Sequence, residues 1–318
     1  MALSLTRGDL VTYARDNHFS QIDSTATRLF QRAVEHGLKL VSRERYWSFM
    51  QDDTQIITIV PVTGSGSPQS VTQAVASTTA DFTLLTALPT NITGGAYTTF
   101  LEVNGEANWR EIVTRTDDDT LVCRFAYAGS ATVTGGSFVI AYPAYDLPLN
   151  FRRTRKLIDL QSRDTLRYIE SDTMQWEHNE QAGTGTPCSF SVRQRRNDPT
   201  VYQLWLWPAP DTTVKSYQLL YWKDAGWYDT ATPATNAWKR EATADTDYVD
   251  WPPRMLDLLR QAILVSLYRE NAPQKFGMAF ETYMQMLSTA MQDDEVHGEV
   301  RTLSSGQRMS APEWVLEP

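Results

Sequence analysis

Residues 250–291 read DWPPRMLDLLRQAILVSLYRENAPQKFGMAFETYMQMLSTAM, and this stretch decides the fold of the chain. Pro252 and Pro253 fit the first turn of a helix, where a proline loses no intrahelical hydrogen bond. Asp250 offers a side-chain oxygen where an N-cap is needed. The sequence therefore predicts a helix that begins near Arg254.

Apolar side chains recur at intervals of three and four residues on both sides of a break at Asn271 and Pro273. This spacing predicts two amphipathic helices, and the short link between them makes them antiparallel. The two stripes consist of Met255, Leu258, Leu259, Ala262, Ile263 and Leu267, and of Phe276, Phe280, Tyr283, Met284, Leu287 and Met291. Because no catalytic motif accompanies them, we expect the helices to form a packing frame.

Composition limits the classes of protein to which the chain can belong. Its 318 residues suggest about two domains, and its net charge of -9 argues against a protein whose main task is to grip nucleic acid. Cys123 and Cys188 show no metal-ligand spacing, so ordinary reduced thiols are expected. No window approaches the roughly 18 apolar residues of a membrane span, and residues 1–17 lack a signal peptide's apolar region. We expect a soluble, non-secreted protein.

The segments before residue 143 differ sharply in composition. Residues 1–50 have helical periodicity, whereas residues 51–143 are rich in Thr, Val, Gly and Ser and contain alternating runs of strand length. Asn104-Gly105 is typical of a two-residue hairpin turn. This second segment is predicted to be a β domain inserted into helical sequence.

Beyond residue 143, a helix rich in arginine is predicted to start near Arg152, Arg153 and Arg155. Three strands follow, and they are predicted to pair as a meander: Ser189–Arg195, Val201–Trp207 and Ser216–Lys223. In the middle strand, Trp205 and Trp207 alternate with leucines, which indicates that both faces are covered or contact a partner.

The predicted fold class is α+β, with a helical bundle frame, a three-stranded antiparallel meander at about 188–223 and an inserted small β-sandwich or β-barrel domain. The frame and meander comprise residues 1–50 and 144–295. The inserted β domain comprises 51–143, and residues 296–318 form an extended C-terminal tail.

The sequence contains no recognisable catalytic, metal or cofactor motif. Its four histidines are scattered: His18, His36, His178 and His297. Asp117, Asp118 and Asp119 are consecutive, whereas calcium loops space their oxygen ligands around a turn. We therefore expect no enzymatic activity and no cofactor.

The order of several short segments carries a family resemblance. The segments are Tyr145-Asp-Leu-Pro-Leu-Asn-Phe151, an Arg-rich segment, Leu204-Trp-Leu-Trp-Pro-Ala-Pro210, Leu219-Leu-Tyr-Trp222, and Trp251-Pro-Pro253 with its two helices. Together they resemble tailed-phage head-to-tail adaptors, in the tail tubular protein A group and related head-completion proteins. The resemblance covers about 1–50 and 144–295 and leaves out the β insert.

This resemblance implies a structural virion protein that forms a ring, commonly of twelve copies, between the portal of the head and the tail. The implied partners are the portal protein, tail or nozzle proteins, further copies of the chain, and double-stranded DNA that passes without sequence-specific binding. No membrane is involved. The location is the virion neck, after assembly in the host cytoplasm.

The candidate portal or subunit contacts are Leu303, Met309, Trp314 and Leu316 in the tail, together with Arg152, Arg153, Arg155, Trp205 and Trp207. The tail residues follow from the resemblance, in which the C-terminal segment often reaches the portal. The arginines could equally form a solvated face that pairs with nearby acids, or contact DNA phosphates. The tryptophans could also lie in the core.

Two other functions are open at this stage. A host-recognition or carbohydrate-binding protein would use aromatic side chains of the β insert, such as Tyr97, Trp109 and Tyr127. A polysaccharide hydrolase would need paired carboxylates across a cleft, for which Glu102, Glu106 and Glu111 are the nearest set.

Overall fold

The computed structural model describes residues 5–17, 27–64, 70–73, 77–83, 96–103, 109–126, 133–170, 184–196, 198–229 and 238–304. For residues 296–304 only the backbone is described. The helices of this part are α1 (Arg7–Asn17), α2 (Thr27–Glu44), α3 (Leu256–Asn271) and α4 (Pro273–Ser304). Two short 3-10 helices lie at Ser48–Met50 and Pro253–Met255.

The strands, in chain order, are β1 (Gln51–Ile57), β2 (Val62–Gly64), β3 (Ser70–Gln73), β4 (Thr79–Thr83), β5 (Tyr97–Val103), β6 (Arg110–Arg115), β7 (Thr120–Cys123), β8 (Val133–Gly136), β9 (Phe138–Asp146), β10 (Phe151–Asp159), β11 (Arg167–Tyr168), β12 (Thr184–Gly185), β13 (Ser189–Arg195), β14 (Asp198–Trp207), β15 (Ala209–Pro210), β16 (Ser216–Lys223), β17 (Trp227–Tyr228), β18 (Trp238–Lys239) and β19 (Tyr248–Val249).

The chain divides into two compact units. The helical unit comprises Met1–Asp52 and Trp222–Pro318, and the β unit comprises Asp53–Tyr221. The β unit therefore lies within the helical unit in sequence. This division places residues 144–221 with the preceding strands, whereas the predicted insert ends at 143. Helix α4 also continues to Ser304, past the predicted start of the tail at 296.

The helical unit is built around α3, which packs against both α2 and α4. Its core includes Leu10, Phe30, Val34, Leu38, Trp47, Met255, Leu258, Leu259, Ile263, Leu267, Tyr283 and Leu287. The Gln261 side chain donates a hydrogen bond of 2.9 Å to the Ala279 carbonyl oxygen near the link, so α3 and α4 run antiparallel as predicted. Burying both stripes is what stabilises these helices, because isolated helices of this length are marginal in water.

The start of α3 differs from the prediction in its cap. The 3-10 turn at Pro253–Met255 precedes the helix, and no side-chain cap is present. Asp250 instead forms a short ion pair with Lys223. The Trp251 indole donates a hydrogen bond of 2.9 Å to the Met255 carbonyl oxygen, which fixes the turn.

The polar segment that precedes α3 is an ordered part of the helical unit. Strands β18, β17 and β19 form a small antiparallel sheet. Trp227 is fully buried, and its indole donates a hydrogen bond of 3.0 Å to Glu35 of α2. Burial raises the pKa of Glu35, and this hydrogen bond opposes the rise. A half-buried carboxyl on α2 thus anchors the segment.

Asp247 organises the turn between β18 and β19. Burial alone would raise the pKa of Asp247, but N–H groups of Ala244 and Thr243 and the Lys239 ammonium stabilise the carboxylate and hold the pKa below its usual value. Thr243 and Ala244 donate at 2.7 and 2.9 Å. Because the folded pKa lies below the unfolded one, this stabilisation is complete above the unfolded pKa and is lost as pH falls through the folded pKa.

Replacing Asp247 with Asn is therefore expected to lower the free energy of unfolding by about 2 kcal/mol at pH 7, since hydrogen bonds to a charged group are lost. The deficit should be smaller at an acidic pH, below the lowered pKa at which the wild-type carboxyl becomes protonated, than at pH 7. Urea unfolding of both proteins at the two pH values measures the effect. An equal deficit at both would contradict a role for the charge.

A closed barrel forms the first part of the β unit. Antiparallel pairing runs from β3 through β4, β7, β6 and β5 to β9. β3 also pairs with β8, and β8 is followed directly by β9, so the circuit closes. β2 pairs with β9 as well. The buried interior consists of Val71, Ala80, Phe82, Leu101, Val103, Ile112, Leu121, Cys123, Phe138 and Ile140.

A sandwich forms the second part, and β9 belongs to both parts. The later residues of β9 pair with β14, and β14 pairs in turn with β13. A separate sheet has the order β1-β16-β10. The two sheets bury one core between them, formed by Ile56, Tyr142, Tyr145, Leu147, Phe151, Leu157, Leu166, Phe190, Leu204, Leu206, Tyr217, Leu219 and Tyr221.

The predicted fold class is wrong. In the part of the chain that the structure describes, strands account for more residues than helices and form large sheets, so the fold is mostly β and not a helical bundle frame. The predicted Arg-rich helix is strand β10. Phe151 and Leu157 are both buried, and a six-residue separation places two side chains on one face of a strand but on different faces of a helix.

The predicted meander is also wrong in its third strand. β13 and β14 pair as expected, but β16 lies between β1 and β10 in the other sheet. Tyr217, Leu219 and Tyr221 alternate along β16 and face the sandwich core. The same alternation would suit either sheet, so the sequence pattern predicts the strand without identifying its partner.

Candidate functional site

The predicted basic contacts lie on an edge strand of the β unit. Arg153 and Arg155 are exposed on β10, whereas Arg152 and Lys156 are half-buried. In the sheet with the order β1-β16-β10, strand β10 is at one end. The structure therefore brings Arg152, Arg153 and Arg155 together as a row of positive charge along a sheet edge.

The predicted tryptophan contacts lie on β14, on the face opposite the leucines. Trp205 is 8% exposed, with the guanidinium carbon of Arg193 3.5 Å from its ring centroid and Phe100 packed edge-on at 5.2 Å. Burial lowers the pKa of Arg193 to about 10, against the opposing effect of Glu111. Arg193 thus stays cationic at neutral pH and covers Trp205, while Trp207 is half-buried.

Helix α4 exposes apolar side chains that do not pack against α3. Met278 is 75% exposed, Met284 46% and Phe280 40%. Phe280 was predicted as a frame residue, but it stacks on Phe276 with ring centroids 5.5 Å apart. Exposed methionine and aromatic side chains on one element are typical of a protein contact, because they adapt to and bury against a partner. We call Met278, Phe280 and Met284 the α4 surface.

A groove of about 300 Å³ separates the start of α3 from the second half of α4. Apolar and acidic side chains both line it; the lining residues are Arg254, Met255, Asp257, Leu258, Gln285, Met286, Thr289, Ala290, Asp293 and Asp294. Among the residues that the structure describes, no group of three or more His, Cys, Asp or Glu side chains could hold a metal ion.

Asp294, at the end of this groove, holds α4 against the 3-10 helix before β1. It is 3% exposed and accepts hydrogen bonds from the Ser48 backbone N–H at 2.9 Å and the Ser48 hydroxyl at 2.5 Å. The Arg254 guanidinium lies 3.6 Å away. Sequence periodicity did not identify Asp294, because its partner is remote in sequence.

Replacing Asp294 with Ala is expected to lower the free energy of unfolding by about 3 kcal/mol, because the buried Ser48 donors lose their acceptor. Asp293 is the neighbouring carboxylate and is exposed. Asp293→Ala should change the free energy by less than about 0.5 kcal/mol. Urea unfolding of the two variants checks the difference, and equal effects would contradict the assignment.

The predicted C-terminal contacts are placed only in part. Leu303 belongs to the last turn of α4, where the backbone alone is described. Met309, Trp314 and Leu316 lie outside the described residues. Their role as contacts stays a prediction.

Comparison with protein families identifies the chain. The family model described as SU10 adaptor protein matches residues 106–310, which is more than half of the chain. The chain belongs to the SU10 adaptor protein family. It is therefore a structural adaptor of a phage virion.

The match agrees with the broad class that the sequence indicates, a phage adaptor protein. It begins between β5 and β6 of the barrel and runs through the later barrel strands, the sandwich and both C-terminal helices. The finer resemblance to the tail tubular protein A group stays a prediction. No curated protein matches the adaptor. In the described part of the chain, no helix is both long and apolar enough to cross a membrane.

The aromatic residues that suggested glycan binding are largely engaged within the adaptor. Trp109 is 8% exposed, and Tyr97 is half-buried with its ring 5.2 Å from that of Tyr142. Tyr127 lies outside the described residues. Burial of Trp109 removes the largest of the three rings from a sugar-stacking surface, which counts against the glycan alternative.

The carboxylates that suggested a hydrolase are similarly engaged in part. Glu111 forms an ion pair with Arg124 at 2.8 Å. Glu102 is half-buried on β5, and Glu106 lies outside the described residues. The ion pair with Arg124 occupies Glu111, which counts against the hydrolase alternative.

Proposed function

We propose that copies of this adaptor assemble into a ring of twelve that joins the portal of the phage head to the tail. The ring would let double-stranded DNA pass through its lumen without sequence-specific binding. Membership of the adaptor family supports a role between virion components. The proposal includes no catalytic step and no cofactor.

The observation that carries this proposal is the α4 surface. Met278, Phe280 and Met284 expose apolar area from a helix that Tyr283 and Leu287 fix in the core. A rigid element with exposed apolar side chains gains stability when a partner covers it, at about 25 cal/mol per Å² of apolar area. A second copy or a neighbouring virion protein would supply that cover.

Charge supports the passage of DNA through such a ring. One chain carries a net charge of -9, so twelve copies would carry about -108 formal charges. An acidic assembly repels phosphate groups, and repulsion lets DNA slide where a basic lumen would hold it. The proposed portal contacts are the C-terminal residues Leu303, Met309, Trp314 and Leu316.

The triple replacement of Met278, Phe280 and Met284 by Ser tests the α4 surface. These side chains are exposed, so we expect the variant to fold with an unchanged melting temperature but to enter virions at least about tenfold less often. Gln292→Ser, at an exposed polar position of the same helix, is the control. Normal incorporation of the triple variant would contradict the contact.

The size of the assembly tests the ring. Neck complexes extracted from virions and measured by mass photometry should contain a species of about 430 kDa, twelve copies of the 36.1 kDa chain. Labelling with an antibody should place the protein at the head-to-tail junction. Labelling at the distal tail tip would overturn the proposal.

A further inference from the structure

Helix α2 presents a row of basic side chains to solvent. Arg28, Arg32, His36 and Arg43 are exposed, and Lys39 is half-buried. Their spacings are four, four, three and four residues, which places all five on one face of an α-helix. We call these five residues the α2 stripe. It is about 22 Å long, because a helix rises about 1.5 Å per residue.

The opposite face of α2 is fixed in the core of the helical unit. Phe30, Val34 and Val41 are each 0% exposed. Gly37 lies so close to α3 that a Cβ there would be 2.7 Å from Ile263 Cγ1. The helix therefore cannot turn its charged face inward, and the α2 stripe stays at the surface.

Nearby acids leave most of this charge uncompensated. Within the described residues, Lys39 is the member of the stripe that forms an ion pair, at 2.9 Å to Glu241. Arg28, Arg32 and Arg43 form no ion pair or hydrogen bond within those residues. Three guanidinium groups are therefore available to a ligand.

The two acids of α2 do not neutralise these guanidinium groups. The Glu35 carboxylate is half-buried and accepts hydrogen bonds from the Trp227 indole and the Ala242 N–H, at 3.0 and 3.1 Å. Glu44 is exposed but lies about 100° further round the helix than Arg43. The net charge of the stripe is therefore positive, although the whole chain carries -9.

The α2 stripe lacks the apolar centre that anchors a protein contact. Leu29 and Leu40 are the apolar residues beside it, and both pack against the core of the helical unit. Protein interfaces depend on a few large side chains buried at their centre, whereas binding to a phosphate backbone depends on Lys and Arg. The stripe thus suits phosphate groups, and the α4 surface, with its methionines, suits a protein.

We propose that the α2 stripe binds the phosphate backbone of the double-stranded DNA that passes through the ring. Duplex DNA carries one negative charge per about 1.7 Å of its axis, so a basic row about 22 Å long meets several phosphates. Such contacts carry no sequence information, and DNA can slide along them. This inference rests on the proposed function and assigns its DNA contact.

Binding of the purified full-length chain to a fluorescein-labelled duplex of about 20 base pairs tests the stripe. Fluorescence anisotropy at about 20 to 200 mM salt should give a plot of log K against log salt with a slope of about -3, for three arginines. Replacing Arg28, Arg32 and Arg43 with Gln should weaken binding at least about tenfold at the lowest salt and bring the slope close to zero. Two duplexes of unrelated sequence should bind equally.

Two control variants separate the position of the charges from their number. Replacing the same three arginines with Lys keeps the charge and should leave the affinity within about threefold of the wild type. Replacing Arg163, Arg167 and Arg269 with Gln removes the same charge from exposed positions outside the stripe, and should also leave the affinity within about threefold. Equal melting temperatures establish that every variant is folded.

Wild-type chain that does not bind the duplex at the lowest salt would overturn the proposal, as would equal loss of binding in the two glutamine variants. A stripe variant that binds DNA normally but fails to enter virions would overturn it too, and would identify the stripe as a protein contact. These measurements use the single chain, so they do not depend on the ring. The size and location of neck complexes test the ring separately.

Discussion

Replacing Leu259 with Asp is expected to leave the helical unit unfolded. Leu259 is 0% exposed in the core between α2, α3 and α4. Removing its side chain costs about 2–5 kcal/mol, and burying an unpaired carboxylate adds several more. A domain of this kind is stable by about 5–15 kcal/mol in total, so most of that stability is lost. Circular dichroism and limited proteolysis measure the effect.

The matched control is Met278→Asp, which introduces the same charge at a position that is 75% exposed on α4. It should change the free energy of unfolding by less than about 0.5 kcal/mol. A soluble, folded Leu259→Asp variant that only loses partner binding would contradict the place of Leu259 in the core of the helical unit.

Replacing Gly37 with Ala is expected to destabilise the helical unit by about 2–3 kcal/mol, although alanine is the better helix former. A Cβ at residue 37 would lie 2.7 Å from Ile263 Cγ1, and 2.8 and 2.9 Å from the Ile263 backbone N and Cα. A side chain could rotate away, but the backbone of α3 cannot. Thermal and urea unfolding should both show the loss.

Gly277 provides the control for this steric argument. It also lies within a helix, and a Cβ there would meet no atom within 4 Å. Gly277→Ala should therefore stabilise the protein by about 0.5–1 kcal/mol. Opposite signs at the two glycines are the expected result. Stabilisation by both would mean that α2 and α3 are not in close contact at Gly37.

The helices could be predicted because their signals are local. The stripe from Leu258 to Leu267 and the break at Asn271 and Pro273 lie within one short stretch, and α3 and α4 follow it closely. The sequence predicted a cap at Asp250 that the structure lacks, because Asp250 pairs with Lys223, which is 27 positions earlier in the sequence. Local spacing predicted the helix but not the tertiary competitor for its cap residue.

The strands of the β unit were harder to predict, because their pairing involves segments that are distant in the sequence. The segment of β10 favours a helix locally because Arg and Lys are good helix formers, but tertiary packing overrides this weak preference. The decisive spacing is the burial of Phe151 with Leu157. The partners of β16 are β1 and β10, and the β1 residues are more than 150 positions distant. Alternation with a period of two predicts which side chains of a strand face the core. It does not predict which distant strand becomes the hydrogen-bonded neighbour.

The candidate site, like the fold, could be predicted only in part from the sequence. Alternation along β14 correctly separated Leu204 and Leu206 from Trp205 and Trp207, which lie in different clusters. It could not identify Arg193 as the cover of Trp205, because that contact depends on the register of β13 against β14. The basic row was recognised by composition, but its position at a sheet edge required the strand topology.

A reconstruction of the intact virion neck by cryo-electron microscopy tests the central claim most directly. The adaptor account predicts a ring of this chain between portal and tail. A neck that lacks this chain, or a ring built by another protein at that position, would contradict the account.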